Sequence, residues 1–383
     1  MLILRRFVLI LLLSSLGAAP AGAAASGEDP FYWVAGIQVS QPLDHKDPRK
    51  AAFARAESLA LARLLERMLD GPTRQAHAAT LAPLLAKPHP LVVRTVVRSE
   101  KNRPDALFVQ VDILFNGAPV RQTLEQAGLP FNQTPYPAAL LLTPQSGDPD
   151  NDWGTLADDD PAWIHLQEAA REQGITLVRP LGDVNDLSHL SLASVRAGDA
   201  ALSQWLRDTY AAEQVWEVVV SQPAPPGGSG VASPQEVSCH LTIHGRGAPP
   251  PLEIRRQITA ADPAAARAGL MPDLGRSLVA KIMDHWIQRH QLAPGANTPV
   301  VLVVEHHHDM GLYGRFLAEL AHVPGLVEVR TARLGGGRTE LHGRYRGEIT
   351  RLQESLQEIA PFVAPEGGAL LVRLVGNPRT MPP

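Results

Sequence analysis

A single cysteine among 383 residues leaves no partner for an internal disulfide. Charge of either sign is equally short of excess. Lys+Arg number 35 against 39 Asp+Glu, a formal net charge of −4, and no basic block is present, which argues against nucleic acid as a partner. Beyond the N-terminal segment no apolar run approaches the ~20 residues of a spanning helix, so no membrane span is expected. HExxH, CxxC and GxSxG patterns are all missing. The local signatures of zincins, thiol-based metal or redox sites and the hydrolase nucleophile elbow are therefore lacking. No long internal repeat is visible.

The N-terminus supplies the clearest positive signal. In MLILRRFVLILLLSSLGAAPAGAAAS, Arg5 and Arg6 form a positive region and Phe7 to Leu16 an apolar one. Ala21-Gly22-Ala23 or Ala23-Ala24-Ala25 offers small-residue cleavage sites. Residues 1–25 read as a secretory signal peptide, too short in its apolar part for an anchor, so the protein is expected in the periplasm. The lone Cys239 shares one strand face with Val237, Leu241 and Ile243, which predicts a buried small hydrophobe rather than a reactive thiol.

The fold class expected is α/β (α+β), built as three small open-sheet sandwich modules over 26–135, 136–292 and 293–383. In the first, Phe31 to Ser40 and Leu107 to Phe115 read as strands. Pro48 to Met68 reads as a helix, with Leu61, Leu64, Leu65 and Met68 on one face. In the second, strands at Ala138 to Thr143, Ile175 to Arg179 and Val215 to Ser221 alternate with helices, the pattern of parallel βαβ units. A Pro/Gly/Ser linker at 223–233, an antiparallel hairpin and a long helix from Pro272 to Gln291 follow. The third reads βαββαβ, the order of a ferredoxin-like plait, with Ala369 to Val375 as its single last strand.

The runs FNGAPVRQTLEQAGLPFNQTPYPAALLL and GITLVRPLGDVNDLSHLSLASVRAGDAALSQWLRDTYAAEQVWEVVV resemble a bacterial envelope protein family known only as domain of unknown function twenty sixty-six. The resemblance spans roughly 31–292. It rests on the AGLP turn, Ala127 to Pro130, and on a GLPLLxPLxD segment matched by Gly174 to Asp183, with Ile175 and Thr176 in place of the usual Leu-Pro. Members often carry a tryptophan after the strand at 138–143, where Thr143-Pro144 here opens a polar insert. In module order the chain is more distantly similar to periplasmic assembly factors, namely the flagellar T-ring protein and the N-terminal domain of TolB. These likenesses imply an envelope role and no particular chemistry.

Four groups merit weighing as sites. His306-His307-His308-Asp309 ends a β-branched strand. Alternation puts His306 and His308 on one face, where zinc could recruit Asp309 and His342. The reading preferred is a solvated strand-to-helix turn with Asp309 as helix cap, since that position calls for polar, solvated residues. Asp148, Asp150, Asp152 and Asp158-Asp159-Asp160 have carboxylates near calcium-loop spacing, but Trp153 occupies the place of the required glycine and Gly154 falls one position late. Gly335-Gly336-Gly337-Arg338 reads as a hairpin turn rather than a phosphate cradle, since no helix begins there. Asp183 and Asp186 follow a parallel strand at its carboxyl end, the usual place for ligands in open α/β sheets, although without a base or nucleophile beside them they read as loop and cap residues. No catalytic, cofactor or metal residue is assigned, and no cofactor is expected. The reading that follows is a non-catalytic adaptor for other envelope proteins or cell-wall components. Alternatives are a divergent metal-dependent hydrolase using His306/His308 and a small-ligand sensor near Asp183/Asp186.

Overall fold

The computed structural model describes residues 29–44, 46–145, 152–222, 233–245, 247–260, 262–295, 297–321 and 323–374. The signal segment, Asp148 and Asp150 of the acidic insert and most of the 223–233 linker lie outside the described residues.

The first sheet holds β1 (Trp33–Pro42), β2 (Val92–Asn102) and β3 (Ala106–Phe115), antiparallel in the order β1-β3-β2. Helix α1 (Pro48–Met68) lies on one face. Asp47 accepts from Lys50 N at 3.0 Å and Pro48 starts the helix, where its missing N–H costs nothing. Ala52, Ala56 and Ala60 recur every fourth residue and are fully buried beside Leu61, Leu64, Leu65 and Met68. That small-residue ridge brings the helix axis close to the sheet. Two short helices, α2 (Gly71–Ala76) and α3 (Ala78–Ala86), occupy a stretch whose prolines suggest no helix. Pro72 falls in the first turn of α2, where it is tolerated, and Pro83 lies inside α3. Helix α4 (Gly117–Gln126), capped by Asn116, follows β3.

The middle sheet carries β4 (Ala139–Pro144), β5 (Trp153–Gly154), β6 (Leu177–Val178), β7 (Gln214–Ser221), β8 (Ser233–Gly245) and β9 (Leu252–Ala260). Strands β6 and β7 pair with β4 in parallel, as the βαβ pattern predicts, and β7-β8-β9 continue antiparallel. One face packs on α5 (Pro161–Glu172) and α9 (Pro263–His290), where Leu274, Leu278 and Ile282 are fully buried. Helix α9 starts earlier than the expected Pro272, which sits inside it. Any side chain at Gly275 would meet the His165 carbonyl at 2.9 Å, so the α5–α9 crossing requires glycine there. Cys239 lies wholly inside this core, and burial pushes its thiol up to about 12. The other face carries α7 (Leu192–Ala197) and α8 (Ala200–Tyr210) over Leu140, Leu142 and Val215, preceded by the one-turn α6 (Val184–His189).

The C-terminal sheet begins as the expected plait. It comprises β10 (Thr298–Glu305), α10 (Met310–Leu320), β11 (Leu326–Gly335), β12 (Arg338–Tyr345) and α11 (Ile349–Ile359). The chain then forms a hairpin, β13 (Phe362–Glu366) and β14 (Ala369–Arg373), where one strand was expected. The order is β11-β12-β10-β14-β13, and β14 runs parallel to β10. Strand β13 holds the outer edge, where Pro365 can sit without breaking a ladder on both sides. The α/β class of open-sheet modules stands. Among the described residues no helix is long and apolar enough to cross a membrane.

The first two sheets share a polar seam. Arg67 of α1, 6% exposed, donates to Trp33 O at 2.8 Å and to Glu172 O at 3.2 Å, the latter at the carboxyl end of α5. Burial draws its pKa down to about 10. Gly174 has φ +76, and a Cβ there would fall 2.9 Å from the Arg67 guanidinium carbon. Leu292, beyond α9, returns to the first core and pairs with Phe131.

Candidate functional site

The histidine run divides into one inward and two outward residues. Val300, Leu302 and Val304 face the helices of the C-terminal sheet, and His306 continues that alternation with 2% exposure. Its Nε2 lies 3.1 Å from Thr339 Oγ1, and its ring packs against Tyr313 at 4.9 Å between centroids. The turn then closes through Asp309 N donating to His306 O at 2.8 Å. His307 and His308 take positive φ, +48° and +67°, and are exposed. The nearby glycines serve this turn. Gly337 O accepts from His306 N and His307 N, and His308 lies so close to Gly336 that a Cβ would meet its ring at 3.1 Å. Asp309 caps α10, accepting from Leu312 N at 2.8 Å, as expected. The reading of all three histidines as solvated is thus corrected for His306, which is a core residue. His342 pairs across the sheet from Val301 and binds Glu340 at 2.6 Å, away from the turn. Among the described residues no group of three His, Cys, Asp or Glu side chains could hold a metal.

Asp183 and Asp186 form the hub of a different construction. Asp183 caps α6, accepting from Asp186 N at 2.9 Å. Asp186, 1% exposed, accepts from Gly182 N at 2.7 Å and from the Tyr210 hydroxyl at 2.6 Å. Burial first, and the adjacent Asp186 second, push the Tyr210 hydroxyl up to about 12, so it remains a donor. Tyr210 also accepts from Leu181 N at 3.2 Å, while Trp205 sits between Tyr210 and a stacked His189. The backbone from Leu181 to His189 is therefore tied down from within. Its apolar side chains point the other way: Leu181 is 82% exposed, Val184 81% and Leu187 48%. Neither the helices nor the lobe they present is legible in the sequence, where a six-residue segment shows too little of the 3.6-residue period.

A third cluster lies where β7 meets α7. The Glu217 carboxylate receives Arg196 through two nitrogens and His244 Nε2 at 2.9 Å. Burial opposes ionisation, but these hydrogen bonds and charges outweigh it and hold the Glu217 carboxyl below its usual range. A carboxyl depressed in the folded state stabilises the fold above its unfolded pKa of ~4.3 and loses that contribution as pH falls through the folded value. Glu217→Gln should therefore lie below the parent in unfolding free energy at pH 7, with the gap closing below pH ~4. Urea unfolding at the two pH values measures it; a gap that widens in acid would contradict the assignment.

Of the acidic insert, Asp152 caps α7, accepting from Leu192 N at 2.8 Å, and Asp160 caps α5 and binds Arg267. Asp158 pairs with Arg179. These carboxylates serve caps and ion pairs.

No family model matches this chain, and no curated protein does. Among solved structures it is similar to a formyltetrahydrofolate deformylase from Pseudomonas putida, at 13% identity and TM-score 0.23, over 67% of this chain and 95% of that one. A PelC dodecamer from Paraburkholderia phytofirmans gives 14% identity and TM-score 0.22, over 39% and 87%. Likenesses this slight carry no argument.

Proposed function

We propose that the protein is a non-catalytic periplasmic binding or assembly adaptor, allied to the envelope family its sequence resembles, and that it contacts its partner through the Leu181–Leu187 lobe. One observation carries the reading. Three large apolar side chains are held in water by a backbone pinned through the buried Asp186. Burying each would yield ~1.5–3 kcal/mol, which the isolated chain forgoes. A contiguous exposed apolar patch marks an interaction site, and a rigid one avoids much of the ordering cost of binding. The sensor alternative gains nothing from Asp183 and Asp186, whose carboxylates are engaged in capping and in the hub.

The periplasmic location rests on the leader, and N-terminal sequencing of the secreted protein should find a start between Ala24 and Gly27. For the lobe, a photoreactive residue at Val184 or Leu187 should yield adducts with a defined set of envelope neighbours in living cells. The same probe at exposed Gln204 of α8 serves as control. Adducts at the lobe no more abundant or distinct than those at Gln204 would overturn the reading.

A further inference from the structure

A cavity of about 160 Å³ opens where the C-terminal module meets the first one. On one side α4 ends in the AGLP turn, where Gly128 N donates to Glu125 O and Leu129 N to Leu124 O, each at 3.0 Å. That turn places Glu125 in the wall and delivers Phe131, which pairs with Leu292. On the other side Ala293 N donates to Arg346 O at 3.0 Å, and Arg346 N to Gly325 O at 2.9 Å. The two modules approach closely here, since a Cβ at Gly325 would stand 2.7 Å from Leu292 Cδ2. Pro294 and Asn297, in the connection between α9 and β10, also line the cavity.

Each module contributes one charge to this wall. Arg346 Nη1 and Glu125 Oε1 stand 3.8 Å apart, beyond hydrogen-bond reach, with side chains 46% and 44% exposed. The pairs Arg98–Asp112 and Arg63–Glu172, by contrast, close to 2.6 and 2.7 Å. Among the described residues neither Glu125 nor Arg346 has another side-chain hydrogen bond or ion pair. The cavity therefore presents both poles, loosely matched and with no net charge. A lone anion would gain Arg346 but meet Glu125, and a lone cation would face the reverse. A zwitterion satisfies both. In an α-amino acid the ammonium nitrogen and carboxylate carbon lie about 2.5 Å apart, so each pole can reach its opposite across this pair. An extended ω-amino acid holds its poles too far apart to do so. Volume limits the side chain, because a cavity of ~150 Å³ takes a molecule the size of benzene. Alanine or serine fits that space, and tryptophan does not.

We infer that the cavity between the first and C-terminal modules binds a small α-amino acid as its zwitterion, the carboxylate on Arg346 and the ammonium on Glu125. The site goes beyond the adaptor reading and does not depend on the Leu181–Leu187 lobe. Binding should be weak, in the millimolar range, since both poles are half exposed and screened by salt.

Saturation-transfer NMR on the purified protein, titrated with L-alanine, suits that range. Acetate, methylammonium and 4-aminobutyrate should each bind about tenfold more weakly than alanine, because each fails to engage both poles in place. Glu125→Gln and Arg346→Gln should each weaken alanine binding by about tenfold or more, through loss of one charge-assisted contact. Both side chains are half exposed, so the melting temperature without alanine should stay close to the parent's. Lost binding is then not lost folding. Absence of transfer to alanine even at large excess overturns the proposal. So does binding that survives both substitutions, or acetate that binds as tightly as alanine.

Discussion

Asp186→Ala should lower the unfolding free energy by about 3 kcal/mol, the largest loss expected from any single polar residue of the lobe. The carboxylate is 1% exposed and accepts from both Gly182 N and the Tyr210 hydroxyl. Its removal strands two donors in a site that water reaches poorly, at ~1–3 kcal/mol for each unsatisfied group. Tyr210→Phe removes only one of these bonds and should cost about 1 kcal/mol. The double variant should cost less than the sum, because the two residues share one bond. Urea unfolding of the three variants gives the comparison. A loss below ~0.5 kcal/mol for Asp186→Ala, the behaviour of a solvated surface residue, would show that the lobe is not pinned from inside.

Adjacent histidines should respond with opposite sign. His306→Ala removes a ring packed on Tyr313 and leaves the Thr339 hydroxyl without its neighbour in a buried setting, for about 2–3 kcal/mol. His306→Phe should cost less, because His306 Nδ1 has no hydrogen-bond partner and its loss is no penalty. His307→Gly should instead stabilise by up to about 1 kcal/mol, since a residue with a Cβ at φ +48° is strained and glycine is not. Thermal melts of the three variants decide the matter, and a chelator should move none of them. If His306→Ala proved as mild as His307→Gly, the inward orientation of His306 would be refuted.

What the sequence reveals tracks the length of each pattern. Helix α1 is readable because 21 residues repeat the same face several times, and β3 because its apolar alternation is unbroken. Strand β13 escapes notice, being five residues long with Pro365 near its end and Phe362 exposed. The inward turn of His306 was legible in principle, since it extends the Val300, Leu302, Val304 alternation by one step. Polar identity hid it. The Asp186 hub was not legible, because nothing local announces that a tyrosine 24 positions away will close over it. Caps were the most transparent polar features: Asp309 precedes a helix and acts as anticipated, and Asp160, directly before Pro161, does the same for α5.

The seam at Arg67 and the return of Leu292 also bear on the order in which the protein can be completed. A chain emerging N-terminus first produces α1 well before Glu172, whose carbonyl accepts from the Arg67 guanidinium. Until α5 arrives, that cation has only the Trp33 carbonyl and water to bind, and its contact with Glu172 is left open. The first core then waits again, with a vacancy where Leu292 belongs, until the whole middle sheet and α9 have been made. The first core is thus among the last parts to be finished, and it stays open to holding factors until then.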